Sequence, residues 1–259
     1  MIEVMKFYSC FLLLLALLSL QACGPGGSPP LRVATAANVQ YAMKALSQDF
    51  EEKTGIETEV IVGSSGKLTA QIQHGAPFDI FVSADMKYPA KLYEKNFAVT
   101  EPVVYAYGKL VLWTLGNDVS LSLDSLSSEN VTHLAVANPE IAPYGQAAVA
   151  ALKYFHLFES IRGKIVSGES IAQTNQFVLT GAAQLGFTAK SVVLAPELKE
   201  KGRWVEIDPM SYPPIRQGVV VLKNPKGDRE KSQKFFEYLL SAQGRKILAG
   251  FGYETAVKK

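Results

Sequence analysis

From residue 31 to the end of the chain, short apolar segments alternate with segments whose apolar residues recur at helical spacing. Residues 31–35, 58–62 and 78–82 have the length and composition of buried strands, and a helical pattern follows each of them. This alternation predicts an α/β fold with largely parallel sheets. Ligands of such sheets bind at the carboxyl ends of the strands, so the loops that follow the strands are the candidate binding region.

The composition is that of an ordinary globular protein. With 259 residues, of which 48% are hydrophobic and 19% charged, the chain is long enough for one large domain or two of moderate size. Its 26 Lys and Arg nearly balance its 24 Asp and Glu, and the resulting net charge of +2 argues against a general nucleic-acid binder. The 2 cysteines are too few for a disulfide-rich scaffold or a multi-cysteine zinc site.

The amino-terminal segment has the pattern of a secretory signal. Residues 11–22 are mostly apolar, and this run is shorter than the roughly 20 residues that a membrane-spanning helix needs. It ends in the sequence Leu-Gln-Ala-Cys, which resembles the bacterial lipobox. We therefore expect residues 1–22 to be a lipoprotein signal peptide and Cys23 to become the lipid-bearing first residue. A free thiol after an ordinary signal peptide is the alternative.

A short linker follows the signal. Residues 23–30 are rich in Gly and Pro, which predicts a flexible tether between the anchor and the folded body. The charged region before the apolar run is weak, so Met1 and Met5 are both possible start sites. Cys10 would be removed with the signal, which leaves the folded body without a cysteine and so without a disulfide.

Small polar residues mark four places where a predicted strand gives way to a predicted helix. These loops lie at residues 36–38, 63–67, 142–146 and 168–171. A helix start presents unpaired N–H groups and a partial positive charge, so several starts that converge would bind a small anion without Lys or Arg. Asn38, Ser65 and Tyr144 would add polar side chains. For any single loop, an ordinary helix cap or tight turn explains the pattern as well.

The body of the chain, roughly residues 31–255, resembles the periplasmic molybdate-binding proteins, the substrate-binding components of molybdate ABC transporters. The segments that carry this resemblance are VATAAN at 33–38, GSSGKL at 63–68, GAPFDIFVSAD at 75–85, ANPE at 137–140, PYG at 143–145, GESIAQT at 168–174 and QLGF at 184–187. No single segment is decisive, but their order and spacing together are specific. Relatives often have an acidic residue at the position of Gln184.

The resemblance implies a two-lobed periplasmic-binding-protein fold of type II. Each lobe would hold a mixed, mostly parallel sheet flanked by helices, and two hinge crossings would join the lobes. The expected limits are 31–108 plus 217–259 for lobe one and 109–216 for lobe two. The crossings are expected near residues 107–109 and 216–219.

The resemblance also implies a site that holds one tetrahedral oxyanion. The residues that correspond to the family's ligand positions are Ala37, Asn38 and Ser65 in the first lobe, and Tyr144 and the backbone N–H of Ile171 in the second. Asn38 and Ser65 would donate from both side chain and backbone, and Tyr144 could supply a hydroxyl. Two departures change the number of donors, because many relatives have Ser where this chain has Asn38, and others have Tyr where it has Ala189. Molybdenum would enter only as the oxyanion, with no cofactor and no catalytic residue.

Acid–base chemistry explains how such a site selects its ligand. Molybdate and tungstate are fully deprotonated at neutral pH, so a site made only of donors fits them and penalises hydrogen phosphate, whose proton needs an acceptor. Sulfate accepts hydrogen bonds in the same way and must be rejected by cavity size. Asp79 and Asp85 are the nearest candidate acceptors, and their sequence context favours structural roles. The sequence does not separate molybdate from tungstate.

Partners and location follow from the same resemblance. We expect a monomer that works with a membrane permease and its ATPase, binds no nucleic acid and contacts the membrane through its lipid. It would lie in the periplasm or on the outer face of the cell membrane.

Three rival functions remain open on sequence alone. Ser65 and Lys67 could form a nucleophile pair of an enzyme, but no nucleophile-elbow motif surrounds a Ser, the P-loop pattern is incomplete, and the histidines have no metal-ligand spacing (His74, His133, His156). The same fold could bind another ligand, such as sulfate, phosphate or a ferric complex. A purely structural or adhesive lipoprotein is the third possibility.

Overall fold

The computed structural model describes residues 29–117 and 119–255. The predicted signal peptide and the predicted lipid attachment at Cys23 lie outside the described residues, as does most of the predicted linker. Within the described residues, no helix is both long and apolar enough to cross a membrane.

Two five-stranded sheets organise the described chain. The strands are β1 (Leu31–Ala36), β2 (Thr58–Gly63), β3 (Ile80–Val82), β4 (Val103–Gly108), β5 (Leu110–Thr114), β6 (Leu134–Ala137), β7 (Ile165–Gly168), β8 (Leu185–Ala189), β9 (Arg203–Glu206) and β10 (Ile215–Val221). The first sheet has the order β2-β1-β3-β10-β4, and the second has the order β7-β6-β8-β5-β9.

One strand in each sheet runs against the others. β10 is antiparallel to both of its neighbours, β3 and β4, whereas β1 is parallel to β2 and β3. In the second sheet, β5 is antiparallel to β8 and β9, and β6 is parallel to β7 and β8. The carboxyl ends of the remaining strands of a sheet therefore share one edge. This confirms the predicted α/β fold with mixed, mostly parallel sheets.

Helices cover both sheets. They are α1 (Gln40–Thr54), α2 (Ser65–Gln73), α3 (Lys87–Glu94), α4 (Pro143–Tyr154), α5 (Phe158–Ile161), α6 (Ile171–Leu179), α7 (Lys190–Val193), α8 (Arg229–Leu239) and α9 (Ala242–Gly250). We call the first sheet with α1, α2, α3, α8 and α9 the first lobe, and the second sheet with α4 to α7 the second lobe.

Each sheet has an apolar core on both faces, because successive strand residues point to opposite sides. In β1, Val33 belongs to the cluster packed under α1, whereas the adjacent Ala34 belongs to the cluster around Leu68 of α2. In β5, Leu112 and Trp113 divide in the same way between two clusters of the second lobe. Burial on both faces explains why the strands have continuous apolar sequences.

The chain passes between the sheets twice. β4 ends at Gly108 in the first sheet and β5 begins at Leu110 in the second, so Lys109 alone separates them. The return path runs after a 3-10 turn, Pro209–Ser211, and β10 then begins at Ile215. Residues 215 and 216 thus pair with β4. The predicted lobe limits stay predictions.

Candidate functional site

A small cavity lies where the two lobes meet, at the carboxyl ends of the strands. Its internal volume of about 10 Å³ is far below the roughly 300–1,000 Å³ of pockets for drug-sized ligands, so only a very small ligand suits it. It is lined by Ala36, Ala37, Asn38, Ser64, Ser65, Ala84, Ala142, Pro143, Tyr144 and Ile171.

The structure brings together every residue that the sequence assigned to the ligand. Four helix starts meet at the cavity, namely the 3-10 turn Ala37–Val39 and α2 from the first lobe, and α4 and α6 from the second. Sequence alone located these loops but not their convergence. That these residues bind an anion stays a prediction.

Local sequence explains why the helices start at the cavity with free donors. Ser64 caps α2 by accepting a hydrogen bond from the N–H of Lys67 at 3.3 Å, and Ser170 caps α6 in the same way. The caps satisfy N–H groups later in the first turn, and the first N–H groups of a helix have no intrahelical partner. The N–H groups of Ser65 and Ile171 are therefore available to a ligand.

The start of α4 has a different construction. Pro143 occupies the first turn, where its fixed φ suits a helix and its missing N–H costs nothing. The first N–H of this helix that can reach a ligand is therefore that of Tyr144.

The hydroxyl of Ser65 is oriented as a donor. Ser65 is 1% exposed, and its Oγ accepts a hydrogen bond from the N–H of Ala84 at 3.0 Å. Because a hydroxyl has only one proton to donate, this bond leaves the Ser65 proton for another acceptor.

Asn38 is buried, and its side chain does not cap a helix. It lies inside the 3-10 turn, α1 begins at Gln40, and no side chain caps that helix. Its Nδ2 donates instead to Gln217 Oε1 at 2.8 Å and to Tyr253 Oη at 3.0 Å. Both amide protons are thus used inside the protein, and Asn38 retains its backbone N–H as a donor for an anion.

Tyr144 has a similarly engaged side chain. Its Oη accepts a hydrogen bond from Gln217 Nε2 at 3.2 Å, and the residue is 1% exposed. Burial raises the pKa of the Tyr144 hydroxyl well above its usual value, so the group stays protonated.

Sequence reasoning missed the buried polar groups behind the cavity. Gln217, Tyr105, Tyr253 and Ser191 are all buried, and they are joined by hydrogen bonds to one another or to Asn38. A polar Gln directly before the apolar residues 218–221 of β10 was the available signal, since a buried carboxamide needs partners.

The cavity is electrically neutral apart from its dipoles. None of its described lining residues is Lys, Arg, His, Asp or Glu. Asp79 accepts from the N–H of Arg32 at 2.8 Å and from Asn224, and Asp85 accepts from the N–H of Tyr88 at 3.2 Å. Both carboxylates therefore have structural roles and do not line the cavity.

One ion pair near the cleft joins the two lobes. Lys67 Nζ lies 2.6 Å from Glu169 Oε1, so it contacts a carboxylate of the other lobe and not Ser65. The three histidines are exposed. Among the described residues, no group of three or more His, Cys, Asp or Glu could hold a metal ion.

Comparisons with known proteins agree with this architecture. Residues 31–254 match the family model described as bacterial extracellular solute-binding protein. The chain is 38% identical over 225 residues to the molybdate-binding protein ModA of Azotobacter vinelandii, which covers 86% of this chain and 89% of the relative. It is 34% identical over 232 residues to the molybdate-binding protein ModA of Rhodobacter capsulatus, with coverage of 89% and 90%.

A solved structure of a molybdate-binding protein has a similar fold. The periplasmic molybdate-binding protein of Azotobacter vinelandii matches with a TM-score of 0.83 at 32% identity, over 88% of this chain and 100% of that chain. This match confirms the predicted two-lobed type II fold and the resemblance on which it was based. The chain therefore belongs to the family of bacterial extracellular solute-binding proteins, together with these molybdate-binding proteins.

Proposed function

We propose that the protein captures molybdate, and also tungstate, between its two lobes outside the cytoplasm and delivers it to the permease and ATPase of an ABC transporter. The observation that carries this proposal is the convergence of four helix starts, two from each lobe, on one small cavity without a charged side chain. The relatives named above are molybdate-binding proteins, and binding proteins of this family are not enzymes. This excludes the rival enzyme.

The donors around the cavity support a fully deprotonated ligand. Oriented N–H groups from Ser65, Tyr144, Ile171 and the 3-10 turn, with the Ser65 hydroxyl, offer protons and no carboxylate acceptor. A dianion that only accepts hydrogen bonds satisfies every one of them. Hydrogen phosphate would bring a proton that these groups do not accept, and an unmet buried donor costs about 1–3 kcal/mol.

The position between the lobes supports delivery as well as capture. A ligand that contacts both lobes favours the closed form over the open form, because only the closed form makes both sets of contacts. The transporter can then distinguish loaded from empty protein by shape.

We further propose that Cys23 anchors a monomer to the membrane, and recovery of a Cys23→Ala variant from the membrane fraction would contradict this.

Isothermal titration with molybdate, tungstate, sulfate and phosphate tests the function. We expect tight binding of the first two and at least about 100-fold weaker binding of the others, a difference of about 2.7 kcal/mol. Molybdate at 100 times its Kd should raise the free energy of unfolding by about 2.7 kcal/mol. Equal affinity for sulfate and molybdate would contradict the proposed specificity, and absence of any oxyanion binding would contradict the function.

A further inference from the structure

The side chain of Gln217 is the centre of the polar groups behind the cavity. It is 0% exposed and lies in β10, where the pairing with β4 shifts by one residue. Its Oε1 accepts hydrogen bonds from Asn38 Nδ2 at 2.8 Å and Tyr105 Oη at 2.7 Å, and its Nε2 donates to Tyr144 Oη at 3.2 Å. One carboxamide therefore holds three other buried polar groups.

These bonds cross between the lobes. Gln217, Asn38 and Tyr105 belong to the first lobe, whereas Tyr144 belongs to α4 of the second. A second crossing runs from Ser191 Oγ, in α7, to the carbonyl of Asn38 at 2.7 Å. Asn38 and Tyr144, which line the cavity from different lobes, are thus both hydrogen-bonded to the carboxamide of Gln217.

The hydrogen bond between Gln217 and Tyr144, which joins the two lobes, lies beside the hinge. Gly108 is the last residue of β4, directly before Lys109. A Cβ added at Gly108 would collide with the hydroxyl of Tyr144 and lie 2.5 Å from Gln217 Nε2. The absence of a side chain at Gly108 therefore lets the pair of Gln217 and Tyr144 pack directly against the point where the chain changes lobes.

We propose that Gln217 is a positioning residue that couples lobe closure to the oxyanion site, an inference that rests on the proposed function. It does not line the cavity, so it acts on the ligand through Asn38 and Tyr144. When the lobes close, its Nε2 gains the Tyr144 hydroxyl as an acceptor while its Oε1 keeps the Asn38 turn in place. Closure and the alignment of donors from both lobes thereby become one event.

The chemistry of a carboxamide explains why Gln suits this position. The site needs an acceptor for Asn38 and Tyr105 and a donor for Tyr144 in one planar group. Leu has a similar volume but supplies neither, so three buried groups would lose a partner. A protonated carboxylic acid supplies both, but an ionised carboxylate has no donor and adds a negative charge near the ligand.

Two variants test the proposal, with molybdate as the titrant. Gln217→Leu should weaken binding on the order of 10-fold to 100-fold at every pH, because the two lobes lose their shared partner. Gln217→Glu should bind nearly as well as wild type at pH 5.5, where the acid is protonated, and progressively less well up to pH 9. This recovery at low pH is a response that a merely destabilised protein would not give.

The wild-type pH profile is the baseline for this experiment. The titratable groups that face Gln217 are the hydroxyls of Tyr105 and Tyr144, and Tyr253 lies beyond Asn38. Burial raises the pKa of all three hydroxyls, so they stay protonated over this range. Asp85, whose carbonyl accepts from the N–H after Gln217, has a carboxyl pKa raised by burial and titrates in all variants alike.

A double-mutant cycle separates coupling from general damage. Tyr144→Phe removes the other end of the cross-lobe bond, so its effect and that of Gln217→Leu should not add in the double variant. Tyr238→Phe is the matched control, because it removes a hydrogen bond to Asp49 within the first lobe at 2.6 Å and away from the cavity. It should leave molybdate affinity unchanged.

These experiments distinguish failure of the coupling role of Gln217 from failure of the proposed function. If wild type binds molybdate and both Gln217 variants bind equally well at all pH values, the coupling role is wrong and the function stands. Additive effects in the double-mutant cycle would also overturn the coupling role. If wild type binds no oxyanion, the proposed function itself fails.

Discussion

Single hydrogen bonds decide which side chains near the cavity can serve a ligand. Ser65 receives the N–H of Ala84 and so keeps its proton for another acceptor. Asn38 has the richer set of donors, but both of its amide protons bind inside the first lobe. A polar residue at the cavity is therefore not automatically a ligand contact.

Replacing Ser65 provides the residue-scale prediction. Ser65→Ala removes a donor to a buried charge, a type of bond worth about 1.5–3 kcal/mol, so the Kd for molybdate should rise roughly 10-fold to 100-fold. The variant also leaves the N–H of Ala84 without its acceptor, so the ligand-free protein should unfold at a lower temperature. Calorimetry of binding and of unfolding separates the two effects.

The control is a serine with a comparable backbone bond far from the cavity. Ser232 Oγ donates to the carbonyl of Asp228, the N-cap residue of α8, at 2.7 Å. Ser232→Ala should change stability slightly and molybdate affinity not at all. Unchanged affinity in Ser65→Ala would remove Ser65 from the site.

Residue identities near the cavity could be predicted from the sequence better than their roles. The segments that contain Ser65, Tyr144 and Ile171 were recognisable, because short family motifs surround them. The engagement of Asn38 was not, because its partners Gln217 and Tyr253 lie 179 and 215 residues away in the chain. Only the folded chain brings such partners together.

Helix starts supply the backbone donors of this site. They provide N–H groups whose directions are fixed by the helix, so they need no side chain to reorient when an anion arrives. Oriented backbone dipoles of this kind can hold a dianion without a counter-charge. The cavity can therefore remain neutral.

A proline substitution tests a helix start directly. Ile171 is the first residue of α6, where Pro is tolerated, and the preceding Ser170 already has the extended backbone that Pro requires, with φ −150° and ψ 170°. Ile171→Pro deletes one backbone N–H and should raise the Kd for molybdate about 10-fold or more. Isothermal titration measures the effect.

The same substitution elsewhere serves as the control. Ala242 is the exposed first residue of α9, and the preceding Ser241 is also extended, with φ −71° and ψ 168°. Ala242→Pro should leave molybdate affinity unchanged. Wild-type affinity in Ile171→Pro would mean that the start of α6 makes no bond to the ligand.

Elements were more predictable than their exact starts. The apolar periodicity of α1 and its end at Gly55, which has φ 69°, follow from local sequence. Its start does not, because Asn38, a residue type that favours helix caps, is buried in a 3-10 turn instead. Local propensity was overridden there by a tertiary network.

At the scale of the whole molecule, the two lobes are held together on several sides of the cavity. The N–H of Gly66 donates to the carbonyl of Ile141 at 2.9 Å, and a Cβ at Gly66 would come within 2.9 Å of Ile141. Lys67 pairs with Glu169, and Lys44 pairs with Glu197 at 3.2 Å, each across the cleft. These ion pairs are exposed, so each contributes little, about 0–1 kcal/mol.

The salt dependence of molybdate affinity tests whether long-range electrostatic attraction contributes to binding. With a net charge of +2 and no charged lining residue, the protein should lose no more than about 3-fold in molybdate affinity between 0.05 and 0.5 M NaCl, because buried dipoles are barely screened. Lys67→Met should flatten the remaining dependence further. A loss of more than about 10-fold in wild type would mean that net attraction contributes to binding.

The single residue between β4 and β5 has a mechanical consequence. Pro213 and Pro214 stiffen the return path because their φ angles are fixed, whereas the other path consists of Lys109 alone. Because displacement grows with distance from the axis of a rotation, a small rotation of the lobes about Lys109 would move their outer surfaces further than it moves the residues around the cavity.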